Sequence, residues 1–369
     1  MTLPGPRAGA SVDVMVIGGG PAGSATALAL ARSGVSVAVV NRSRGGHPRI
    51  GETVPPTIMR PLVQLGVWDD FVADGHAPAP GTVVRWGADQ PYENDFIVNP
   101  YGHGWHLDRR RFDAMLIGAA SRAGAQIQDL PPGGRVEHDD RGWSMRSASR
   151  PLLRAPFIVD ATGRSARIAQ RHGVPRYRVD RLIGLVRFGT SAAAEARTLL
   201  EACALGWWYA AVLPDDRAVT ALFTDADLLP VGAVERDRWW ARALSSTRLV
   251  PEIMVTTGAS RIYAAAAPTG TLSSCTGGDW LAVGDAARTL DPLSGQGLTT
   301  ALTSAIRAAE AVLDPRRETA LDAFSHQTAE EHSIHLSTRL AYYRRENRWP
   351  HSPFWQRRQR RHRRLQTIQ

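Results

Sequence analysis

The sequence predicts an α/β protein: a Rossmann-like parallel sheet that binds a dinucleotide, an antiparallel sheet inserted into it, and a C-terminal helical region. Three observations predict it. Residues 12–34 run strand, glycine turn, helix, in the order a dinucleotide-binding unit requires. Two further apolar runs, 157–160 and 280–283, also end in glycine turns, far away in the chain. Short strand patterns at 81–86, 95–98, 178–189, 207–213 and 217–224 supply the inserted sheet.

The first element carries the most information. Residues 12–17, apolar but for Asp13, read as a buried parallel strand. Gly18, Gly20 and Gly23 follow as G-x-G-x-x-G. Gly18 allows the tight turn, Gly20 lets a pyrophosphate approach the backbone, and Gly23 lets the helix pack on the strand. Pro21 falls in the first helical turn, where its missing N–H costs nothing, and Ala22 follows it. The helix ends at Gly34, and its N-terminus offers N–H groups and positive potential to phosphates. The next strand, 36–40, ends in Asn41, where such folds usually carry an acid for the ribose hydroxyls. Asn41 accepts a hydrogen bond more weakly than a carboxylate. Arg42 beside it is placed to contact phosphate or stack on adenine; the alternative is that both residues only cap the strand.

Downstream, the punctuated stretch R-I-G-E-T-V-P-P at 49–56 leads into an apolar helical pattern at 57–65. Asp108 is a good N-cap for a helix over 109–123, with Phe112, Met115, Leu116 and Ala119 on one face. Residues 126–154 suggest a β-meander. The run 157–164, F-I-V-D-A-T-G-R, is the second buried strand with its turn. Residues 234–244 read as a helix. The third buried strand, 280–283, turns at Gly284 and Asp285. The loop D-P-L-S-G-Q-G follows at 291–297, then a helix over 298–313, and a helical, increasingly basic remainder.

Composition narrows the class. With 369 residues, 43% hydrophobic and 21% charged, the chain suits a soluble protein of about two domains. Cys203 and Cys275 alone support neither a disulfide framework nor a cysteine metal cluster. His103 and His106 sit in a glycine-rich loop without metal-ligand spacing, so no metal is expected. The first apolar run is the nucleotide strand itself, and no run is long enough to span a bilayer; the expected compartment is the cytoplasm. All 44 basic residues are arginine. Residues 344–369 hold nine of them against one acid, Glu346, and so carry most of the net charge of +9. That localises the basicity to a tail rather than a nucleic-acid-binding fold. The tail is expected to be a solvated helix end or to meet an acidic protein partner.

The ordered motifs GGGPAGSA, GETVPP, DRRRFD, DATGRSA, WLAVGDAA and DPLSGQGL resemble the flavoprotein monooxygenase superfamily with the aromatic-hydroxylase fold, over residues 12–313. GETVPP, the segment 99–113, GWWYAAVLP and the RWPHSPFW ending are most similar to its halogenase-like branch, closest to flavoproteins that mature tryptophan-derived quinone cofactors. The resemblance implies bound FAD, with NADH, NADPH or a separate flavin reductase as electron source. It implies that residues 18–23 hold the pyrophosphate, Asn41 the ribose, and Arg109, Asp160, Gly163, Gly284 and Asp285 further parts of the nucleotide. Pro292, Gly295, Gln296, Gly297 and Leu298 would face the isoalloxazine ring. A helix starting at Gly297 would there stabilise the anionic reduced flavin through its dipole.

The implied domains are FAD-binding at 1–76, 101–175 and 275–315, substrate-binding at 77–100 and 176–274, and a helical basic region at 316–369. The implied activity is hydroxylation of an aromatic ring, an indole or a protein-bound tryptophan, through a C4a-hydroperoxyflavin. Glu52, Trp207 and Trp208 are the candidate catalytic residues. Glu52 lies near the flavin or merely begins a loop. Trp207 and Trp208 alternate faces of a strand, so one lines the site while the other packs, or both pack. Halogenation is not expected. The halogenase lysine cannot exist in a lysine-free chain, and W-x-W-x-I-P is not reproduced by W-W-Y-A-A-V-L-P at 207–214. The alternatives are an alkene reductase of the geranylgeranyl-reductase kind and a flavin-binding maturation partner of a quinone-cofactor oxidase.

Overall fold

The computed structural model describes residues 10–41, 49–147, 150–191, 193, 195–252 and 261–359. Its centre is a five-stranded, all-parallel sheet in the order Trp280–Ala282, Phe157–Asp160, Val14–Ile17, Val37–Asn41, Gln126–Asp129. The first four of these strands are buried on both faces, which is why they read as largely apolar runs rather than alternating ones, whereas the edge strand Gln126–Asp129 is polar and partly exposed. The register pairs Ile17 with Val40 and Asp160, and Asp160 with Ala282. The three glycine turns therefore leave the sheet side by side, at the strand ends where open α/β sheets bind ligands.

The helices Pro21–Arg32 and Gly297–Leu313 pack together above these turns. Small residues make the approach possible. A Cβ on Gly23 would fall 1.9 Å from the Gly18 carbonyl oxygen, and one on Gly284 would fall 2.8 Å from Ala22 Cβ. The helix Arg109–Arg122 begins at Asp108, whose side chain accepts from the Arg110 and Arg111 N–H groups.

The second large sheet has seven strands, in the order Tyr263–Ala266, Leu182–Thr190, Arg217–Asp225, Gly206–Leu213, Thr198–Cys203, Gly81–Arg85, Tyr92–Asp95. All its pairings are antiparallel except Thr198–Cys203 with Gly81–Arg85. The long helix Arg317–Arg345 and the short helix Pro353–Gln359 close over one face, placing Tyr343, Phe354 and Trp355 in a core with Trp86, Trp207 and Phe223. Among the described residues no helix is long and apolar enough to cross a membrane.

Several expectations are corrected. The strand expected at 95–98 is Tyr92–Asp95: Asp95 pairs with Gly81, after which Phe96 N–H donates to Pro80 and the chain turns away. The run 178–189 is broken, because the Asp180 carboxylate accepts from the Leu182 and Thr269 N–H groups and splits it into Arg176–Arg178 and Leu182–Thr190. The meander starts only at Arg135–Asp139; Gln126–Asp129 before it pairs in parallel with Val37–Asn41. Strand Thr198–Cys203 carries no breaker or alternation that marks it in the sequence.

The basic tail is also corrected in part. Arg358, 2% exposed, pairs with Asp225 at 2.7 Å, and Arg357 bridges Asp225 and Asp227 at 2.9 and 2.8 Å. Arg358 is therefore not a solvated end, because the buried Asp225 carboxylate needs its charge, whereas Arg357 stays half exposed while paired. The tail arginines beyond Gln359 lie outside the described residues.

Candidate active site

One cavity of about 2170 Å³ runs from the glycine turns of the parallel sheet to the inner face of the seven-stranded sheet. That is more than twice the volume one drug-sized ligand fills. It accommodates an extended dinucleotide and a second molecule at its far end.

At the nucleotide end the wall is backbone. Gly18, Gly20, Pro21 and Ala22 line it, with Asn41 beside them; a Cβ on Gly19 would lie 3.3 Å from the Asn41 side chain. Gly163 and Asp285 line it from the neighbouring turns, Asp285 facing Arg164 at 3.4 Å. Gly18 adopts φ +111°, and a Cβ there would meet the Ala161 carbonyl at 2.3 Å, so only glycine makes this turn. Gly20 and Gly163 differ: a Cβ on either would meet no protein atom within 4 Å. Their side-chain space opens into the cavity, a cradle shaped for something that is not protein. The helix Pro21–Arg32 starts at it, and the Ala22 and Gly23 N–H groups precede the first helical bond, Ser24 N–H to the Gly20 carbonyl.

Three expected nucleotide residues stand elsewhere. Asp160 is fully buried and spent on its own turn, accepting from Thr162 N–H (3.0 Å), the Thr162 hydroxyl (2.7 Å), Ile168 N–H (2.8 Å) and Ala169 N–H (3.2 Å). It shapes the turn and does not line the cavity. Gly23 and Gly284 act behind the wall, as packing contacts. Arg42 lies outside the described residues.

At the middle of the cavity, Pro292, Gly295, Gln296, Gly297 and Leu298 present a loop and the start of helix Gly297–Leu313. Gly295 (φ +62°) and Gly297 again have open Cβ space. The loop is held by a residue the sequence reading passed over. Asp291, 1% exposed, accepts from Leu293 N–H at 3.0 Å, from Arg339 Nε at 2.7 Å and from the Tyr343 hydroxyl at 3.0 Å, while its own N–H donates to His335 Nε2. Burial opposes the Asp291 charge, but Arg339 and the loop N–H outweigh it and hold the carboxyl below its usual range. Arg339 and Tyr343 stand four residues apart on one helix face, a spacing legible in the sequence once Asp291 is known to need partners.

Opposite lies the segment 49–55. Arg109 lines the cavity, but its guanidinium turns back to the Ile50 and Gly51 carbonyls and to Asp113, fixing this segment. Glu52 is 2% exposed; Oε2 accepts from Gly51 N–H at 2.9 Å and Oε1 has no partner. Burial raises its pKa despite the opposing pull of Arg109. Thr53 Oγ1 and the Tyr209 hydroxyl are hydrogen-bonded at 2.6 Å.

The far end is aromatic. Trp207 lines the cavity, stacks on Phe223 with ring centroids 4.1 Å apart, and donates from Nε1 to the Tyr343 hydroxyl at 3.0 Å. Tyr209, two residues on, shares its face. Trp208 points the other way, fully buried against Trp240, and does not line the cavity. The strand alternation thus assigns Trp207, and removes Trp208, as a cavity residue.

A family model described as "FAD binding domain" matches residues 11–335. The chain belongs to the FAD binding domain family. It is an FAD-dependent oxidoreductase. It is 29% identical over 358 residues to a putative FAD-dependent oxidoreductase, LodB, of Marinomonas mediterranea, covering 94% of this chain and 97% of that one. Its fold is similar to the peptidyl tryptophan dihydroxylase QhpG, with TM-score 0.78, 29% identity, and 95% and 79% of the two chains covered. The myxobacterial chondrochloren halogenase CndH shares the fold at TM-score 0.84 and 23% identity, covering 97% of this chain and 88% of that one. The open glycine cradle fits FAD: Gly18–Ala22 and Asn41 would hold its nucleotide half, and residues 292–298 its ring. When bound, FAD supplies the two-electron chemistry.

Proposed function

We propose that this flavoprotein hydroxylates an aromatic ring, an indole presented free or as a tryptophan of a polypeptide. The observation that carries the reading is the Trp207–Phe223 stack with Tyr209, lining the same cavity as the glycine cradle. Flat aromatic faces favour a flat aromatic occupant. The likeness to a peptidyl tryptophan dihydroxylase supports the substrate class. A polypeptide also suits the cavity rim. The edge strand Tyr92–Asp95 contributes Tyr92, Glu93 and Asn94 to the lining, and Ile97 and Val98 beyond it stand 91% and 89% exposed. An unpaired strand edge beside a cavity is a place where an extended peptide docks. In this reading residues 77–100 and 176–274 form the substrate side, and 1–76, 101–175 and 275–315 the FAD side. NADH or NADPH, directly or through a separate reductase, supplies the electrons.

The protein's own contributions follow from the geometry. Residues 18–22 and the helix dipole behind them bind phosphate. Asp291, fixed by Arg339 and Tyr343, holds the 292–297 loop. Trp207 is pinned to Tyr343 and so to that same loop, which ties the substrate wall to the ring-binding wall.

The test is the fate of oxygen. With free indoles and a tryptophan-containing partner protein as candidates, reduced FAD and 18O2 should give a product heavier by a labelled oxygen. Trp207→Ala should slow that product at least about tenfold with FAD still bound, an effect of lost positioning. Trp208→Ala should instead lower stability by about 3–5 kcal/mol, the cost of an emptied core site. Turnover under nitrogen with gain of two hydrogens would replace the hydroxylase by an alkene reductase. Partner binding with no turnover would leave a maturation partner.

A further inference from the structure

Glu52 stands out among the buried ionisable groups because one of its oxygens is unaccounted for. It lies in the cavity wall with its side chain shielded from water. Oε2 accepts from Gly51 N–H; Oε1 is buried and has no partner. A carboxylate would leave a charged oxygen bare there, which is costly. The cations that reach it are already engaged. Arg109 is spent on Asp113 and two carbonyls, and Arg217 pairs with Asp108 at 3.0 Å. A further titratable neighbour, Tyr209, is neutral and committed to Thr53; burial pushes its pKa up. Burial likewise raises Glu52, and the weaker pull of Arg109 and Arg217 does not reverse it.

We propose that Glu52 is held as a neutral carboxylic acid whose proton sits on Oε1, and that it is the cavity's internal proton donor. The position of the proton follows from the hydrogen bond: an oxygen that accepts from Gly51 N–H is the carbonyl oxygen, so the hydroxyl is the other one. The role rests on the hydroxylase reading. Inserting one atom of O2 into a ring C–H bond and releasing the other as water consumes two electrons and two protons. When bound, reduced FAD would supply both electrons and one proton, so the second proton must come from an acid at the site. Glu52 gives it up, becomes a carboxylate, and regains a proton from solvent through the cavity. A buried acid with no competing acceptor keeps its proton at neutral pH until that demand arises.

The experiment compares wild type with Glu52→Gln, both free and loaded with FAD. Infrared difference spectra at pH 7 should show a protonated carboxyl band, sensitive to D2O, that only the wild type has. In single turnover with reduced FAD, O2 and the aromatic substrate, Glu52→Gln should yield at least about 100-fold less hydroxylated product. The oxygen it consumes should appear as hydrogen peroxide, with FAD affinity unchanged. A carboxylate signal in place of the protonated band overturns the proposal. So does a protonated band in a wild type whose Gln variant hydroxylates equally well. If Glu52→Gln does not fold, Glu52→Asp, which keeps the acid but withdraws it by a methylene, takes the same two measurements and should keep the band while losing coupling. Absence of labelled product from the wild type with every substrate sinks the hydroxylase reading and the donor role together, whereas the infrared band reports on the neutral acid alone.

Discussion

At the scale of single residues, an element's period decides what a side chain faces, and burial decides what charge it carries. Trp207 and Trp208 are chemically identical neighbours and both are buried; the pleat alone turns one to the cavity side of the sheet and the other into the core of the opposite face. Glu52 gives a pH prediction that needs no substrate. Its folded-state pKa is raised, by burial first, so its stabilising contribution is complete below the ordinary Glu value of 4.5 and is lost as pH rises through the folded value. Removing the acid should therefore matter only on the alkaline side. Glu52→Gln should melt higher than wild type at pH 7 to 8, with the gap closing near pH 4. Calorimetric scans across that range check it, and a gap of constant size would mean that folding leaves the proton affinity of Glu52 unchanged.

At the scale of elements, the strand–turn–helix unit uses its glycines for different ends, and the structure separates them. The Cβ space of Gly20 is empty, whereas that of Gly23 is occupied by the Gly18 carbonyl at 1.9 Å. Gly20→Val should leave a folded protein with normal melting but at least about 100-fold weaker FAD binding, because the valine fills the pyrophosphate's path. Gly23→Ala should lose FAD and stability together, since the helix must move off the strand. Flavin fluorescence with thermal melting distinguishes the two. Melting of both variants at the same lowered temperature would mean that Gly20 also packs. The 291–297 loop shows the same division of labour: glycines leave room, while Asp291 supplies the rigidity.

For the molecule as a whole, the C-terminal region is a strap as well as a charged tail. Arg357 and Arg358 return across the seven-stranded sheet to Asp225 and Asp227. A chain ending at Gln356 should be destabilised by about 3–5 kcal/mol, the cost of leaving the buried Asp225 without its partner. A chain ending at Gln359 keeps every described pair and should melt as the full chain does. Urea unfolding of the two truncations gives the answer; equal stability would show that Asp225 finds another cation. Binding to an acidic protein, by contrast, should weaken with either truncation and with salt, because exposed charges are screened over about 8 Å at physiological ionic strength.

The sequence by itself determined four of the five strands of the dinucleotide sheet, its three turns and the order of its helices. Those features are local: a G-x-G-x-x-G turn needs particular residues within a few positions, and periodicity shows along one segment. The glycine cradle and the Gly297 helix start were legible for the same reason. Asp291 with Arg339 and Tyr343, 48 and 52 residues away, and Asp225 with Arg358, 133 residues away, were not. Each partner alone is an ordinary charged or polar residue, and nothing in the chain's order says that they meet. The motif resemblance implied that Asp160 holds part of the nucleotide, but only folding showed its oxygens already filled by Thr162, Ile168 and Ala169. The orphaned oxygen of Glu52 is likewise a property of tertiary structure, because an unmet hydrogen bond exists only once every neighbour has been placed.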